Sequence, residues 1–473
     1  MTKKNILPLL LLFLFLPLFL YNLGTFSLID FDEAWYAEIA RQILVTKNPL
    51  VLTFNNKPFE EHPPLGFILM AISYLFFGTN EFAARLPEAL GGFGAIIIIY
   101  LIGKNLFNRA VGIAAGLVLV SCVWFVFRAR SANLDTMFLF FYLATFYSAI
   151  KAQYNPKWLL LTALSFSAAL LTKTIIGVTI FPGIVVLWLL KKPHASIKQI
   201  AAALLLIAAS FVPWLLANTA DSGPDFVNHL LEVGLRTGKQ VTPNWAELHK
   251  SITAQYLHFG MRKWYYPGII SLVALIPFVW REKKLLSIYA ILLTLFAGFL
   301  TNEKTEIWHL IPLYPFLGLL IGFTFFQMVN FISKIIHKAI RFPHRSTVVA
   351  LGVTGFFLVA SLYQINLFKH EIKLFDREIG GLPFVSKAAQ NRPEPLFLDN
   401  DYFLPGTVFY AQKSVEMIRS MYPMHPLPDM IEKHPKPFLL LTQQWKLDTD
   451  EIEPEKYELL SEHAGYVLIK VDE

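Results

Sequence analysis

"SLIDFDEAWYAEIARQIL" (Ser27–Leu44) sets Asp30, Asp32, Glu33 and Glu38 directly behind "NILPLLLLFLFLPLFLYNLG", the first apolar run of the chain. Carboxylates beside a bilayer are costly unless they are paired or used. Their reading therefore decides what the first connection is for. Asp32, Tyr36 and the pair Ile39–Ala40 recur at helical spacing, so the stretch predicts a helix that opens on its acids.

Composition supplies the setting. The 473 residues are 55% hydrophobic, 15% aromatic and only 16% charged, with 42 Phe. Water-soluble chains carry about 25% charged residues, and apolar runs near the roughly 20 residues that cross a bilayer recur along the sequence. This is the composition of a polytopic α-helical membrane protein. The net charge of +7 does not indicate a nucleic-acid partner, because the basic residues are divided among short loops, as insertion bias requires. The single Cys122 lies in an apolar run, which excludes an internal disulfide and a thiol metal cluster. The N-terminus has the basic start and apolar core of a signal peptide, yet no small-residue cleavage site follows. It reads as a retained anchor.

Apolar runs predict spans near 5–22, 83–103, 110–127, 134–150, 157–172, 175–190, 198–216, 266–280, 284–301, 307–328 and 346–364. The run His62–Gly78 is short and follows a proline pair, which suits a helix lying in the interface. If it does not cross, the inner loops carry Lys104 and Arg109; Lys151 and Lys157; Lys191, Lys192 and Lys198; Arg281, Lys283 and Lys284; and Lys334, Lys338, Arg341 and Arg345. Every one is basic. If it crosses, every later loop breaks the rule. About eleven spans follow, with the N-terminus cytoplasmic. On the outer side lie a long first loop (23–82), the loop near 217–265, and everything after the spanning region 1–367. The tail 368–473 predicts a small extracytoplasmic α/β domain, with "EPLFLDN", "GTVFYAQ", "KPFLLLT" and "GYVLIKV" as short strands.

The unusual polar residues share that outer side. They are Asp32, Glu33, Lys57, Glu60, Glu61, His62, Arg85, Arg128, Arg130, Asp135, Lys173, Glu303, Lys304, Glu306 and His309. Acids and cations clustered at the mouth of a helical bundle mark a substrate path or a catalytic cavity. A buried carboxylate there can serve as general base. Arg85, Arg128, Arg130, Lys173, Lys304 and His309 could hold a phosphate, the arginines by a fork and the lysines as point charges. Glu61 and His62 are a weak candidate pair for a divalent cation, with too few ligands for a secure site.

"DEAWYAE", "KPFEEHPPLGFILMA", "ARLPEAL", "ANLDTMF", "LTKTIIG" and "HLIPLYPFLGLL", in that order, resemble the GT-C superfamily of integral-membrane glycosyltransferases. Within it they are similar to the bacterial branch related to protein O-mannosyltransferases and the lipid A aminoarabinose transferase. The resemblance covers about residues 5–330. It implies an outward-facing site, a polyprenyl-phosphate sugar as donor, an acceptor hydroxyl on a protein, glycolipid or wall polymer, and inversion at the anomeric carbon. On that basis Asp32 is the general base, Glu33 orients it or binds the acceptor, and Asp135 is the second acidic position. Lys57, Glu61, His62 and Lys173 match positions lining the donor phosphate. The aminoarabinose enzymes have Glu-Lys-Pro where this chain reads Glu61-His62-Pro63, so their sugar preference does not carry over. A lipid monophosphate leaves readily once cations meet its charge, so no cofactor is required.

Other readings of the same residues stay open. Asp32 and Asp135 both fit helix N-caps, and Arg128 and Arg130 fit snorkelling side chains. Tyr36 fits an interfacial anchor as well as a sugar contact. A lipid transporter or flippase would also place charges in a membrane, but it predicts mid-span polar residues and two-fold repeats, which this sequence lacks. A non-catalytic lipid-binding relative is the third class.

Overall fold

The computed structural model describes residues 3–173, 175–223, 225–235, 252–300, 306–340, 343–421, 425–449 and 452–472. Each apolar run picked out by sequence is helical. Among the described residues four helices are long and apolar enough to cross a bilayer: Glu81–Leu106, Ile197–Ser222, Leu313–Lys338 and Arg345–Phe368. Shorter apolar helices include Leu65–Phe77, Trp158–Lys173 and Leu285–Phe299. The loop expected near 217–265 is partly helical, over Asp225–Leu235 and Ile252–Met261.

The residues group by packing into two compact units. The first comprises Met1–Tyr21, Glu60–Gly66 and Leu86–Phe375. In it, the run expected as one span at 110–127 is two helices, Arg109–Val120 and Val123–Ala129, bent by 71°. The break at Ser121 is held from a distance. The Ser121 hydroxyl donates back to Leu117 O at 2.8 Å and accepts from Trp264 Nε1 at 2.8 Å. Gln364 Nε2 donates to Ser121 O at 2.5 Å, supplying the partner that the ended helix no longer provides. The helices Glu81–Leu106 and Arg109–Val120 meet through glycine. A Cβ on Gly112 would stand 2.4 Å from Tyr100 O, and one on Gly103 would stand 2.6 Å from Gly112 Cα. Small residues permit this approach where water offers no hydrophobic drive between helices.

The second unit comprises Asn22–Phe59, Phe67–Arg85 and Asp376–Glu473. Helix Asp32–Thr46 leads to a hairpin of β1 (Thr53–Phe54) and β2 (Lys57–Pro58). The tail forms a five-stranded sheet from β3 (Leu396–Leu398), β4 (Val415–Met417), β5 (Phe438–Gln443), β6 (Glu458–His463) and β7 (Tyr466–Val471), in the order β4-β3-β5-β7-β6. β4, β3 and β5 are parallel, and β7 is antiparallel to β5 and β6. Along β5, Leu439 and Leu441 enter one core with Leu396 and Leu468, while Phe438 and Leu440 enter the other with Phe397 and Ile469. Both faces are covered, so the strand is uniformly apolar instead of alternating.

One expected strand is corrected. "GTVFYAQ" is mostly helix, Pro405–Ala411, with every residue of that helix buried. Its β-branched and aromatic residues suggested a strand, but Pro405 occupies the first helical turn, where its fixed φ and missing N–H favour a helix start.

The Gly112 crossing can be tested directly. Gly112→Ala should destabilise the purified protein by about 1–3 kcal/mol through overpacking. Gly355→Ala, where an added Cβ meets nothing within 4 Å, should be neutral or slightly stabilising. Thermal unfolding of both variants in one detergent decides between them.

Candidate active site

Two polar clusters stand out, one in each unit. In the second unit the acids behind the first apolar run have separate jobs. Glu33 is buried and grips Arg85 through both oxygens, Nε to Oε1 at 2.8 Å and Nη2 to Oε2 at 2.9 Å. Its Oε2 also accepts from Ile29 N at 2.9 Å. Arg85 is 0% exposed. Its remaining N–H groups go to Leu23 O, Phe26 O and Ser27 O, each at 2.9 Å, and its guanidinium lies 3.8 Å from the Phe26 ring centroid. All five donors of an arginine are thus committed. The expectation that Arg85 binds a phosphate is corrected: no N–H remains for one.

Asp32 is the first residue of its helix and is partly exposed. It is not the N-cap. That position belongs to Phe31, which makes no side-chain cap and has φ 76° and ψ −126°. A bulky residue at positive φ carries strain, of order 1–3 kcal/mol, and persists only where its surroundings hold it. Here they do so on both sides. Beyond the Glu33–Arg85 pair, Asp30 Oδ1 accepts from Gly406 N at 2.8 Å. The Tyr410 hydroxyl accepts from Leu28 N at 2.7 Å and donates to Glu81 Oε1 at 3.1 Å. Ser27 and Thr25 bond the main chain at Glu378, Gly380 and Asp376. The tail thus holds the segment that presents Asp32. Burial pushes the Asp30 carboxyl up from the usual range, and the Gly406 amide draws it part of the way back.

The other residues expected from the first loop have mixed fates. Glu38 is buried and bonded to Arg41 and Gln42. Tyr36 is buried, with Phe67 and Phe59 edge-on at 5.3 and 6.4 Å between centroids. Its expected contact with sugar is corrected to packing. Lys57 is exposed on β2. In the first unit, Glu61 is exposed and His62 half-buried. Among the described residues no group of three or more His, Cys, Asp or Glu is placed to hold a metal ion.

The cluster of the first unit centres on Asp135, which opens helix Asp135–Ala152 and is buried. Its N-cap is Leu134, and Asn133 Oδ1 accepts the Asp135 N–H at 2.8 Å. Arg128 Nε donates to Asp135 Oδ2 at 2.5 Å, and Lys173 Nζ donates to Oδ1. The Arg128 guanidinium lies 4.9 Å from the Trp308 ring centroid, with Trp124 and His309 beside that ring. His309 Nδ1 accepts from Glu306 N at 2.8 Å. Two cations share one carboxylate, so the group carries a net positive charge in a low-dielectric setting. Of the polar residues expected on the outer side, the structure brings Arg128, Asp135, Lys173 and His309 together in the first unit.

Arg130 is different. It is buried and donates to Ile372 O, Leu18 O, Tyr21 O and Lys373 O at 2.8–3.0 Å. Its expected phosphate role is corrected to a clamp on the main chain. Lys304 lies outside the described residues. One residue was missed: Glu88, in "ARLPEAL", is fully buried, and its Oε2 accepts from Thr136 N, Thr136 Oγ1 and Met137 N. It caps the helix that Asp135 opens. A glutamate inside an apolar run was the available signal.

Comparison with known proteins follows this geometry. Over 99% of the chain and 98% of the other, the fold matches ArnT from Cupriavidus metallidurans bound to undecaprenyl phosphate, at a TM-score of 0.70 and 15% identity. The chain has the GT-C fold. The oligosaccharyltransferase of Archaeoglobus fulgidus matches over 92% of this chain and 69% of that one, at a TM-score of 0.58 and 11% identity. A profile of the dolichyl-phosphate-mannose-protein mannosyltransferase family matches residues 61–216. An undecaprenyl phosphate-α-4-amino-4-deoxy-L-arabinose arabinosyl transferase of Shewanella sediminis is 29% identical over 53% of this chain and 47% of its own length. A putative mannosyltransferase of Bacillus subtilis, YkcB, is 29% identical over 33% and 22%. The chain spans about half, or less, of the length of these curated relatives. The GT-C resemblance carried by the ordered motifs is borne out, and the chain is a polytopic membrane protein of that fold.

The support for Asp32 makes a contrast available. Asp30→Asn keeps an oxygen for the Gly406 amide and should leave unfolding stability within about 0.5 kcal/mol of the parent. Asp30→Ala strands that amide and should cost about 1–2 kcal/mol. Thermal unfolding with hydrogen exchange at Leu28–Asp32 checks both.

Proposed function

We propose that the chain is an inverting glycosyltransferase of the cell inner membrane. It moves a sugar from a polyprenyl-phosphate donor to a hydroxyl of a protein, glycolipid or wall polymer on the outer face. The observation that carries this reading is the division of labour in the Asp32-Glu33 pair. Arg85 holds both oxygens of Glu33, which removes Glu33 as a base and gives it a positioning part. Asp32, the first residue of its helix and partly exposed, is the acid of the pair to which the family resemblance gives the role of base. The arabinosyl transferase and mannosyltransferase relatives support the reaction class, and the ArnT fold, bound in that structure to undecaprenyl phosphate, supports the donor lipid.

In the reaction, Asp32 takes the proton of the acceptor hydroxyl as its oxygen attacks the anomeric carbon. The bond from that carbon to the phosphate oxygen breaks, and the lipid monophosphate leaves with the electron pair. Cations offset the charge that gathers on it, a part that the family resemblance gives to Lys173. Within the first unit Asp135 holds Lys173 and Arg128 in position and keeps them from repelling each other. A lipid monophosphate leaves readily once cations meet its charge, so the step does not require a metal.

Asp32→Asn tests the base. Reconstituted in vesicles with an undecaprenyl-phosphate-linked sugar, the variant should insert and fold normally yet lose about 10²–10⁴-fold in turnover. Near-parental turnover would remove Asp32 from the role. Passage of the lipid across the vesicle with no new glycosidic bond would point to transport instead. In the same assay Lys173→Met should lower kcat/KM by about 10–100-fold.

A further inference from the structure

The tail sheet holds a second polar constellation that the transfer reaction does not use. The strand order β4-β3-β5 places the first strand of the parallel set in the middle. The chain leaving β3 turns toward β4, whereas the chain leaving β5 turns to the other side. The carboxyl ends of β3 and β5 therefore flank a topological switch point, where open α/β sheets bind their ligands.

The residues at that point are charged and, in one case, incompletely satisfied. Asp399, next after β3, is buried. Its Oδ1 accepts from Arg419 Nε at 2.5 Å and its Oδ2 from Thr442 Oγ1 at 2.7 Å. Lys446, in the short helix after β5, is 93% buried. Its Nζ lies 3.3 Å from Asp399 Oδ2, yet it makes no directed hydrogen bond. An ammonium has three N–H groups, and leaving them unmet in a buried position is costly. Two cations face one carboxylate, so the site has positive charge to offer an anion. Beside it the Trp445 ring is 58% exposed, and its Nε1–H is held by Gln443 Oε1. The indole is thereby fixed and an apolar ring surface is open to solvent.

We propose that the carboxyl ends of β3 and β5 form a binding site for an anionic saccharide. A phosphate or carboxylate completes the bonds of Lys446 and Arg419, and the sugar ring lies on Trp445. The site is separate from the transfer chemistry, and its binding does not depend on Asp32.

The test uses the full chain in detergent, titrated with glucose 6-phosphate, glucose and inorganic phosphate, and read by tryptophan fluorescence. Glucose 6-phosphate should give a saturable change that Trp445→Phe abolishes, with glucose and inorganic phosphate each binding more weakly. Lys446→Met should weaken binding of glucose 6-phosphate by roughly tenfold to a hundredfold. Arg419→Gln, at a half-exposed position, should act in the same direction and carries the test if Lys446→Met fails to fold. Equal affinity for glucose and glucose 6-phosphate, equal affinity for inorganic phosphate and glucose 6-phosphate, no saturable change, or unaltered binding in the folded variants would each overturn the proposal. The titration is repeated on Asp32→Asn. Retained turnover in that variant sinks the transfer reading without touching the binding result, and lost saccharide binding in the parent sinks the site without touching Asp32.

Discussion

A guanidinium with no exposed surface must place every N–H on a partner, and Arg85 places all five on the segment between Leu23 and Glu33. Three main-chain carbonyls and one carboxylate converge on it. The geometry of the connection behind the first apolar run follows from that convergence. Glu33 cannot leave, Ile29 N is tied to Glu33, and the intervening turn must pass through the strained Phe31. Strain of this kind needs an over-determined frame, and the frame is completed from the far end of the chain by Gly406 and Tyr410.

The first unit repeats the principle with different parts. Arg130 gathers carbonyls from Leu18, Tyr21, Ile372 and Lys373, again joining segments remote in sequence. Asp32 and Asp135 each open a helix whose N-cap residue, Phe31 or Leu134, offers no capping side chain. Each acid therefore sits in a first helical turn, where the dipole favours a negative charge. Each has an arginine-held neighbourhood, with Glu33–Arg85 in one case and Arg128 in the other.

Much of this was legible in the sequence. Each apolar run marked a helix, because burial in a low-dielectric phase writes itself into composition. The ordered motifs brought out the GT-C resemblance, and Arg128, Asp135 and Lys173 were placed on one side from their positions at helix ends. What escaped shares one cause. Arg85 and Arg130 were read as phosphate ligands because the carbonyls that saturate them leave no trace in side-chain identity. The bend at Ser121 depends on Gln364 and Trp264, which lie far along the chain. "GTVFYAQ" looked like a strand until Pro405 was placed at a helix start. Tyr36 was one aromatic among many, and only the positions of Phe59 and Phe67 show that its ring is enclosed.

The hydrogen bonds between the first connection and the tail also set an order of events during biosynthesis. Thr25 and its partner Asp376 are 351 positions apart. At ribosomal rates of about 5–20 residues per second, the partner emerges roughly 20–70 s after the segment it must hold. Throughout that interval Arg85 can collect the nearby carbonyls, since these precede it in the chain, but Asp30 and Leu28 N have no tail to meet. The turn at Phe31 is then free to relax. Maturation of the acidic segment is consequently a late, post-elongation event, and a nascent chain stalled before the tail has the helices of the fold but not the finished turn at Phe31.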